Sequence, residues 1–257
     1  MHPFFYPFGY ELPAYWLMGM FGICAAALFA FLRRRKAGFP GEDILYIGLM
    51  AIVGALVGAK LLHIITLVPL LVQNLDIFLE NPAALVEAIM GGGVFYGGVL
   101  GGGAAVFLYC RRYKLPIKKV LAFYIPAVPL FHTFGRVGCF LAGCCWGIEH
   151  AHGVVYTQSL AAPNGIPLLP IQLIEAGCNL MMFVMLLIAS NRLKKPHNVF
   201  PLYLIFYGIT RFVLEFFRGD TVRGIALLST SQWISIGLVV FSIALLIWER
   251  ISTKKPT

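Results

Sequence analysis

The sequence predicts an all-α integral membrane protein with about seven transmembrane helices. The 257-residue chain is 60% hydrophobic and only 12% charged, with a mean hydropathy of +0.84. Soluble domains carry about 25% charged residues, so most of this surface is expected to face lipid. That composition excludes soluble enzymes, disordered proteins and disulfide scaffolds. Apolar runs of membrane-spanning length and basic clusters at alternate run ends support the same fold class.

Seven apolar runs are long enough to approach the roughly 20 residues that a span needs, at about 13–32, 44–65, 88–110, 120–142, 171–190, 199–217 and 229–248. Clusters of Lys and Arg follow the first, third, fifth and seventh runs. By the positive-inside rule, the N-terminus is then outside and the C-terminus is cytoplasmic. A nucleic-acid surface would gather these charges in one patch, so no nucleic-acid partner is expected despite the net charge of +9.

A single polytopic domain is expected over residues 1–257, because no long linker or clear repeat divides the chain. Outer segments of loop and short helix are predicted at about 66–90 and 148–170, between apolar runs. No cleavable signal peptide is expected, since the N-terminus lacks a basic region and Arg33–Lys36 follow the first run as a stop-transfer pattern.

Several basic residues lie outside those clusters: Lys60, Arg136, Arg211, Arg218 and Arg223. A charge near the bilayer centre costs about 2.5 kcal/mol or more, so each needs a partner or a function. Tyr207, Arg211, Glu215 and Arg218 share one helical face through spacings of four, four and three. This face predicts either an Arg211–Glu215 pair that docks helices or an anion site. The anion site is favoured because the arginines and Lys60 carry more positive charge than Glu215 alone neutralises, and because guanidinium groups bind phosphate in a bidentate manner.

Eight glycines between positions 91 and 103 surround Tyr96. Such density predicts close approach of helix backbones, with Tyr96 as an interfacial aromatic. The same density also leaves space in which Tyr96 can take part in chemistry. The segment alone does not separate these interpretations.

Cys139, Cys144 and Cys145 lie next to Arg136, and His150 and His152 follow. Structural thiols, a disulfide, a metal site and a catalytic thiol are all compatible with this group. Its spacing is not a standard zinc pattern, so it is only a weak metal candidate. No metal or other cofactor is predicted.

These segments resemble the prolipoprotein diacylglyceryl transferases, which are seven-helix enzymes of the bacterial inner membrane. His132–Gly147 is similar to the family signature, with Arg136 at its arginine and Gly147 at its closing glycine. The stretch 169–175, which contains Gln172, resembles the family's P-S-Q-L-Y-E. Residues 207–220 resemble Y-G-x-x-R-F-x-x-E-x-x-R-x-P-D, and Tyr15 matches a tyrosine of the first segment.

Four of the chain's departures from the family pattern bear on the expected site. Tyr96 replaces the histidine of H-G-G, and Lys60 stands where an arginine is usual. Cys139 replaces the signature asparagine, and Cys144 replaces a later acidic residue. The changes at Cys139 and Cys144 lie beside Arg136, where the resemblance places the chemistry.

The resemblance implies transfer of the diacylglyceryl group of phosphatidylglycerol to the lipobox cysteine of a preprolipoprotein, with release of glycerol 1-phosphate. Arg136 and Arg211 would contact phosphate and the transition state, Glu215 would orient Arg211, and Tyr96 would relay a proton. The other expected substrate-binding residues are Arg218, Tyr207, Gln172, Tyr15, Lys60 and Gly147. The expected location is the bacterial cytoplasmic membrane, and the family uses no cofactor.

Other functions remain open at the level of sequence. A paralogue could use the same anionic-lipid site for another acceptor thiol or for lipid remodelling. A transporter of anionic lipid is an alternative from another class, although its usual paired broken helices are not apparent. A non-catalytic lipid-binding or metal-handling membrane protein is a further alternative.

Overall fold

The computed structural model describes residues 3–159, 161–220 and 227–252; Arg223 therefore lies outside the described residues. The α-helices of this part are α1 (Ala14–Arg33), α2 (Gly41–Gln73), α3 (Leu75–Glu80), α4 (Pro82–Met90), α5 (Phe95–Arg112), α6 (Ile117–Tyr124), α7 (Ala127–Ala142), α8 (Ile171–Arg192), α9 (Val199–Glu215) and α10 (Thr230–Ser252). Short strands β1 (Phe4–Phe5) and β2 (Leu12–Pro13) pair antiparallel, as do β3 (Glu149–Val155) and β4 (Pro167–Leu168).

The helical, multi-pass membrane fold is confirmed. Within the described residues, five segments are long and apolar enough to cross a membrane: Ala14–Lys36, Gly41–Gln73, Ile117–Ala142, Ile171–Arg192 and Thr230–Ser252. A sixth is present if α4 and α5, bent by 64°, form one span. Helix α9 has 17 residues, fewer than the roughly 20 of a full span. The count of seven and the orientation of the termini remain predictions.

The chain forms two compact units. In the described part, the first unit comprises residues 3–33, 121–159, 161–220 and 227–252, and the second comprises residues 34–120. One boundary falls at the end of α1, and the other falls within α6. A single membrane domain over the whole chain remains a prediction.

In the second unit, α2 packs against α5 through glycines of both helices. A Cβ on Gly58 would lie 2.8 Å from Gly101 Cα and would clash with the Gly97 carbonyl oxygen. Such contacts exist only because these positions lack side chains, and they let the two backbones approach closely. The glycine-rich segment therefore serves tight helix packing, as the first interpretation of it predicted.

The third predicted span is broken rather than continuous. Residues 88–110 enclose the end of α4, a break at residues 91–94, and α5. The Lys60 ammonium of α2 donates hydrogen bonds to the carbonyl oxygens of Ile89, Met90 and Gly92 at 3.0, 3.1 and 2.7 Å. These carbonyls have lost helical partners at the break, so Lys60 stabilises the bend.

The two predicted outer segments differ in structure. The segment at about 66–90 contains the end of α2 and the short helices α3 and α4. The segment at about 148–170 contains the β3–β4 hairpin, with Tyr156 fully buried behind it. A hairpin was not anticipated, because its exposed, charged strand lacks a long alternating pattern.

The first unit is built from side-chain packing among α1, α7, α8, α9 and α10. Its largest buried apolar cluster comprises Ile125, Met182, Leu186, Val199 and Tyr203. Phe29 of α1 meets Phe183 of α8 edge to face, with ring centroids 5.5 Å apart. This core fixes α7, α8 and α9, which carry the polar groups described next.

Candidate active site

Arg136 lies on α7 and pairs with a carboxylate on α8. Its Nη2 is 2.9 Å from Oε1 of Glu175, and the two side chains are 21% and 6% exposed. A guanidinium has five N–H donors, and this contact engages one of its three nitrogens. Glu175 was quoted within a matched motif but was not predicted as a site residue, and its place in that motif was the available signal.

Arg211 and Glu215 form the ion pair that their spacing on α9 predicted. Arg211 Nη2 is 2.6 Å from Glu215 Oε2, and these side chains are 8% and 9% exposed. Arg211 Nη2 also donates a 3.4 Å hydrogen bond to Ser231 Oγ of α10. Within the described residues, Arg211 Nη1 is buried without a hydrogen-bond partner. A buried guanidinium nitrogen with no acceptor is a position where an anionic ligand oxygen would be stabilised.

Arg218 follows α9 and is held by Asp220, a residue that the sequence analysis did not select. Arg218 Nε donates to Asp220 Oδ1 at 2.8 Å, and Nη2 contacts Oδ2 as well. Arg218 Nε also lies 4.0 Å from Glu215 Oε2. The three residues border a cavity of about 180 Å³ that Ser229 and Gln232 also line. This space is large enough for several water molecules, each of which takes up about 30 Å³ in the liquid.

The charges of this site are more balanced than the sequence indicated. The excess of positive charge was predicted by counting Glu215 alone against the arginines. In the structure, Arg136 pairs with Glu175, and Arg218 pairs with Asp220. The arginines are therefore held in fixed orientations by their counter-ions. An anionic ligand would be bound by individual N–H groups such as Arg211 Nη1, and not by a large excess of positive charge.

Gln172 is 1% exposed and acts on neighbouring residues. Its Nε2 donates to the Cys144 carbonyl oxygen at 2.8 Å and to Tyr156 Oη at 3.1 Å. Gly147 lies in the same region, where a Cβ would be 2.5 Å from the Leu169 carbonyl oxygen. Both predicted substrate-binding residues thus fix the backbone beside the site.

Tyr15 and Tyr207 lie on two different helices, α1 and α9. Tyr15, 51% exposed, stands at the start of α1, and a Cβ on Gly138 would meet its ring at 3.3 Å. The Tyr207 ring on α9 lies 6.0 Å from the ring of His132. The first unit contains these expected site residues: Arg136, Arg211, Glu215, Arg218, Tyr15, Tyr207, Gln172 and Gly147.

The three clustered cysteines converge at the end of α7. Their Sγ atoms all lie within 4.8 Å of one another, and all three thiols are free. Hydrogen bonds from the Cys139 and Cys144 thiols, followed by the charges of Arg218 and Arg136, lower the pKa of Cys145. His150 and His152 are exposed on β3 and contact each other, and neither belongs to the three-sulfur group.

Tyr96 and Lys60 belong to the second unit. Tyr96 is the second residue of α5 and is half-buried, with its ring 5.9 Å from that of Phe95. The Lys60 ammonium donates its hydrogen bonds to backbone carbonyls, as described above. Their roles in substrate binding and proton transfer remain predictions.

A family model described as prolipoprotein diacylglyceryl transferase matches residues 3–248. The chain belongs to this family. A protein of Clostridium tetani named phosphatidylglycerol–prolipoprotein diacylglyceryl transferase is 37% identical over 243 residues, which cover 92% of this chain and 94% of that protein. The family membership makes the chain a transferase by descent, and the resemblance seen in the sequence motifs is confirmed.

Two further relatives carry closely related names. A phosphatidylglycerol–prolipoprotein diacylglyceryl transferase 2 of Clostridium perfringens is 30% identical, with 97% of this chain and 96% of that protein covered. A phosphatidylglycerol–prolipoprotein diacylglyceryl transferase of Idiomarina loihiensis is also 30% identical, with 92% and 90% covered. The similarity thus extends over both compact units.

Proposed function

We propose that this protein transfers the diacylglyceryl group of phosphatidylglycerol to the lipobox cysteine of a preprolipoprotein and releases glycerol 1-phosphate. The observation that carries the proposal is the similarity over 92% of the chain to a transferase named for these two substrates. The proposed location is the bacterial cytoplasmic membrane, where both a phospholipid donor and a membrane-inserted acceptor are available.

The arginines account for the chemistry of the donor. Phosphatidylglycerol is anionic, and its phosphate leaves with the departing glycerol 1-phosphate. Negative charge therefore grows on the leaving oxygen as the C–O bond breaks, and fixed cationic donors stabilise that charge. Arg211, with a buried Nη1 that has no acceptor among the described residues, and Arg136, which is 21% exposed, are placed to supply these donors.

The carboxylates orient these donors. Glu175 and Glu215 each hold one nitrogen of an arginine, at 2.9 and 2.6 Å. A guanidinium held in place stabilises the transition state without the cost of reorganisation during the reaction. Glu175 and Glu215 are therefore positioning residues, and the arginines contact the substrate.

The nucleophile comes from the acceptor. A cysteine thiol has a pKa of about 8.5 and must lose its proton to react. Tyr96 is the proposed relay, accepting this proton on its phenol oxygen while passing its own to water. Lys60 is proposed to contribute to substrate binding indirectly, because it stabilises the backbone of the α4–α5 break.

The test is a turnover assay with purified protein, phosphatidylglycerol and a lipobox peptide. Release of glycerol 1-phosphate and the mass of the peptide are followed together. Arg136→Ala and Arg211→Ala are expected to lower turnover at least about 100-fold, the usual cost of one transition-state donor. Arg192→Ala, at the exposed end of α8, is the matched control and keeps activity.

The outcomes separate the site from the reaction. Full turnover in folded Arg136→Ala and Arg211→Ala would show that these residues are wrongly assigned. Lipid binding by the wild type without release of glycerol 1-phosphate would contradict the proposed transfer reaction. A mass gain on a thiol peptide without a lipobox, and none on the lipobox peptide, would identify another acceptor, which the changes at Cys139 and Cys144 favour as the second candidate.

A further inference from the structure

Three thiols are brought together by a specific backbone turn. Cys139 lies in the last turn of α7, and the helix ends at Gly143 with a φ of +75°. Cys145 also has a positive φ of 59°, which is uncommon for a residue other than glycine. Two left-handed residues reverse the chain, so that Cys144 and Cys145 return to Cys139 and all three Sγ atoms lie within 4.8 Å.

This turn is held by a hydrogen bond within it and by two partners outside it. The Cys144 amide donates to the Cys139 carbonyl oxygen at 3.1 Å, and the Ala162 amide donates to the Gly143 carbonyl oxygen at 3.0 Å. Gln172 of α8 donates to the Cys144 carbonyl oxygen at 2.8 Å. The sulfur atoms are therefore positioned by the fold itself, which is the condition for a preorganised ligand site.

We propose that Cys139, Cys144 and Cys145 bind one zinc ion as thiolates and leave its fourth position for the acceptor thiol. Zinc–sulfur bonds of about 2.3 Å place the sulfurs of a tetrahedral site about 3.8 Å apart. The observed separations of up to 4.8 Å need a contraction of at most about 1 Å. Among the described residues, the group contains no fourth His, Cys, Asp or Glu ligand, and zinc sites with three protein ligands are the catalytic type.

The residues around the three cysteines suit the charge of the zinc site and the approach of an acceptor thiol. Zinc with three thiolates carries a net charge of −1, and the cation Arg136 lies on α7 three residues before Cys139, on the same side of the helix. Cys139 is buried, whereas Cys144 and Cys145 are half-buried. The cluster therefore lies beside the arginine that the proposed reaction uses, and Cys144 and Cys145 form its more exposed side.

The role of the metal rests on the proposed function. Zinc held by the three thiolates would take the acceptor thiol as its fourth ligand and would lower the pKa of that thiol, because coordination favours the thiolate. In the transfer itself, the acceptor sulfur forms a C–S bond to the glyceryl carbon, and the electron pair of the broken C–O bond leaves with the phosphate. Tyr96 keeps its proposed role as the relay for the thiol proton, and zinc would favour the release of that proton.

Cobalt is the spectroscopic probe for this site. Metal-free full-length protein in detergent is titrated with Co²⁺, and one equivalent with thiolate-to-metal charge-transfer absorption is expected. Cys144→Ser and Cys145→Ser are expected to bind at least about 10-fold more weakly, because each removes one ligand. Cys178→Ser, a thiol of α8 outside the cluster, is the matched control and binds normally.

The fourth position is tested with two peptides. A lipobox peptide is expected to change the ligand-field bands of the bound cobalt, and the same peptide with serine at the cysteine position is not. Absence of cobalt absorption, or equal absorption in the serine variants, would overturn the site. A disulfide among the three thiols in protein that binds no metal would overturn it too, and so would bound cobalt that does not respond to the thiol peptide.

Turnover with and without zinc separates this inference from the transfer reaction. Zinc-loaded protein is expected to turn over at least about 10-fold faster than metal-free protein, within the range that activation of a nucleophile provides. Equal turnover in the two forms would overturn the metal's role and leave the transfer reaction intact. If cobalt responds to the thiol peptide but neither the zinc-loaded nor the metal-free protein transfers the diacylglyceryl group, the metal site is supported and the transfer reaction is contradicted.

Discussion

The two compact units are held together in contrasting ways. In residues 34–120, α2 and α5 meet backbone to backbone at glycines such as Gly58 and Gly97. In the other unit, helices are joined by side chains, including the Arg136–Glu175 ion pair between α7 and α8. The first arrangement is sensitive to volume and the second to charge. Substitutions that change only one of these quantities therefore separate the units.

The largest effect is expected from a change of charge at constant shape. Glu175→Gln leaves the Arg136 guanidinium without its counter-ion and free to leave its place, so turnover is expected to fall about 100-fold. The binding of phosphatidylglycerol is expected to change less than turnover, because Glu175 orients the donor group. Kinetics at saturating lipid measure both quantities.

Glu149→Gln is the control for that change. Glu149 is an exposed carboxylate at the start of β3, and its neutralisation is expected to leave turnover unchanged. Equal activity in the two glutamine variants would contradict the positioning role of Glu175. A Glu175→Asp variant with intermediate turnover would sharpen it, because the charge is retained and the distance is altered.

A change of volume is expected to act on the glycine-packed unit. Gly97→Ala places a Cβ 2.6 Å from Leu62 Cβ and against the Gly58 carbonyl oxygen, so overpacking should cost about 1–3 kcal/mol of stability. Gly103→Ala lies on the same helix with nothing within 4 Å of the added Cβ. It should be neutral or stabilising by up to about 1 kcal/mol. The free energy of unfolding of both variants, measured by denaturation in detergent, tests this difference. Equal stabilities would contradict close packing at Gly97.

Tyr96→Phe tests whether the glycine-packed unit also contributes chemistry. Loss of the hydroxyl is expected to lower turnover about 10-fold, since water replaces a positioned relay only in part. Stability should stay near that of the wild type, because the ring and its contact with Phe95 remain. If turnover at neutral pH is unchanged, the relay role is wrong and the arginine assignments stand.

The smallest effect is expected at the α4–α5 break. Lys60→Met keeps an apolar stem but removes three hydrogen bonds to backbone carbonyls, and stability should fall by about 1 kcal/mol or slightly more. Lys119→Met removes one 3.3 Å hydrogen bond to Gly38 and should cost less. Thermal unfolding measures the difference; a larger cost at Lys119 would contradict the role of Lys60.

The sequence predicted those parts that depend on local spacing. The run at about 171–190 became α8 at Ile171–Arg192, and the i, i+4 spacing of Arg211 and Glu215 became a 2.6 Å ion pair. Apolar length and helical periodicity determine both features. The break between α4 and α5 was missed because a run of glycine and apolar residues has the same composition whether it is straight or bent.

The counter-ions and the sulfur cluster required the folded chain. Arg136 meets Glu175 only because α7 packs against α8, and no periodicity links residues so far apart. The Asp220 contact depends on the path of the chain after α9. The convergence of three thiols depends on a positive φ at Cys145, and a cysteine in a sequence does not predict a positive φ.

The location of each counter-ion has a consequence for the insertion of the chain into a bilayer. Arg211 and Glu215 lie on one helix, so α9 enters the membrane already carrying its neutralising partner. Arg136 and Glu175 lie on different helices, and each alone carries an unpaired charge that costs about 2.5 kcal/mol or more at membrane depth. Helices α7 and α8 should therefore leave the insertion machinery together, and a nascent chain that stops after α7 should integrate less efficiently than one that includes α8.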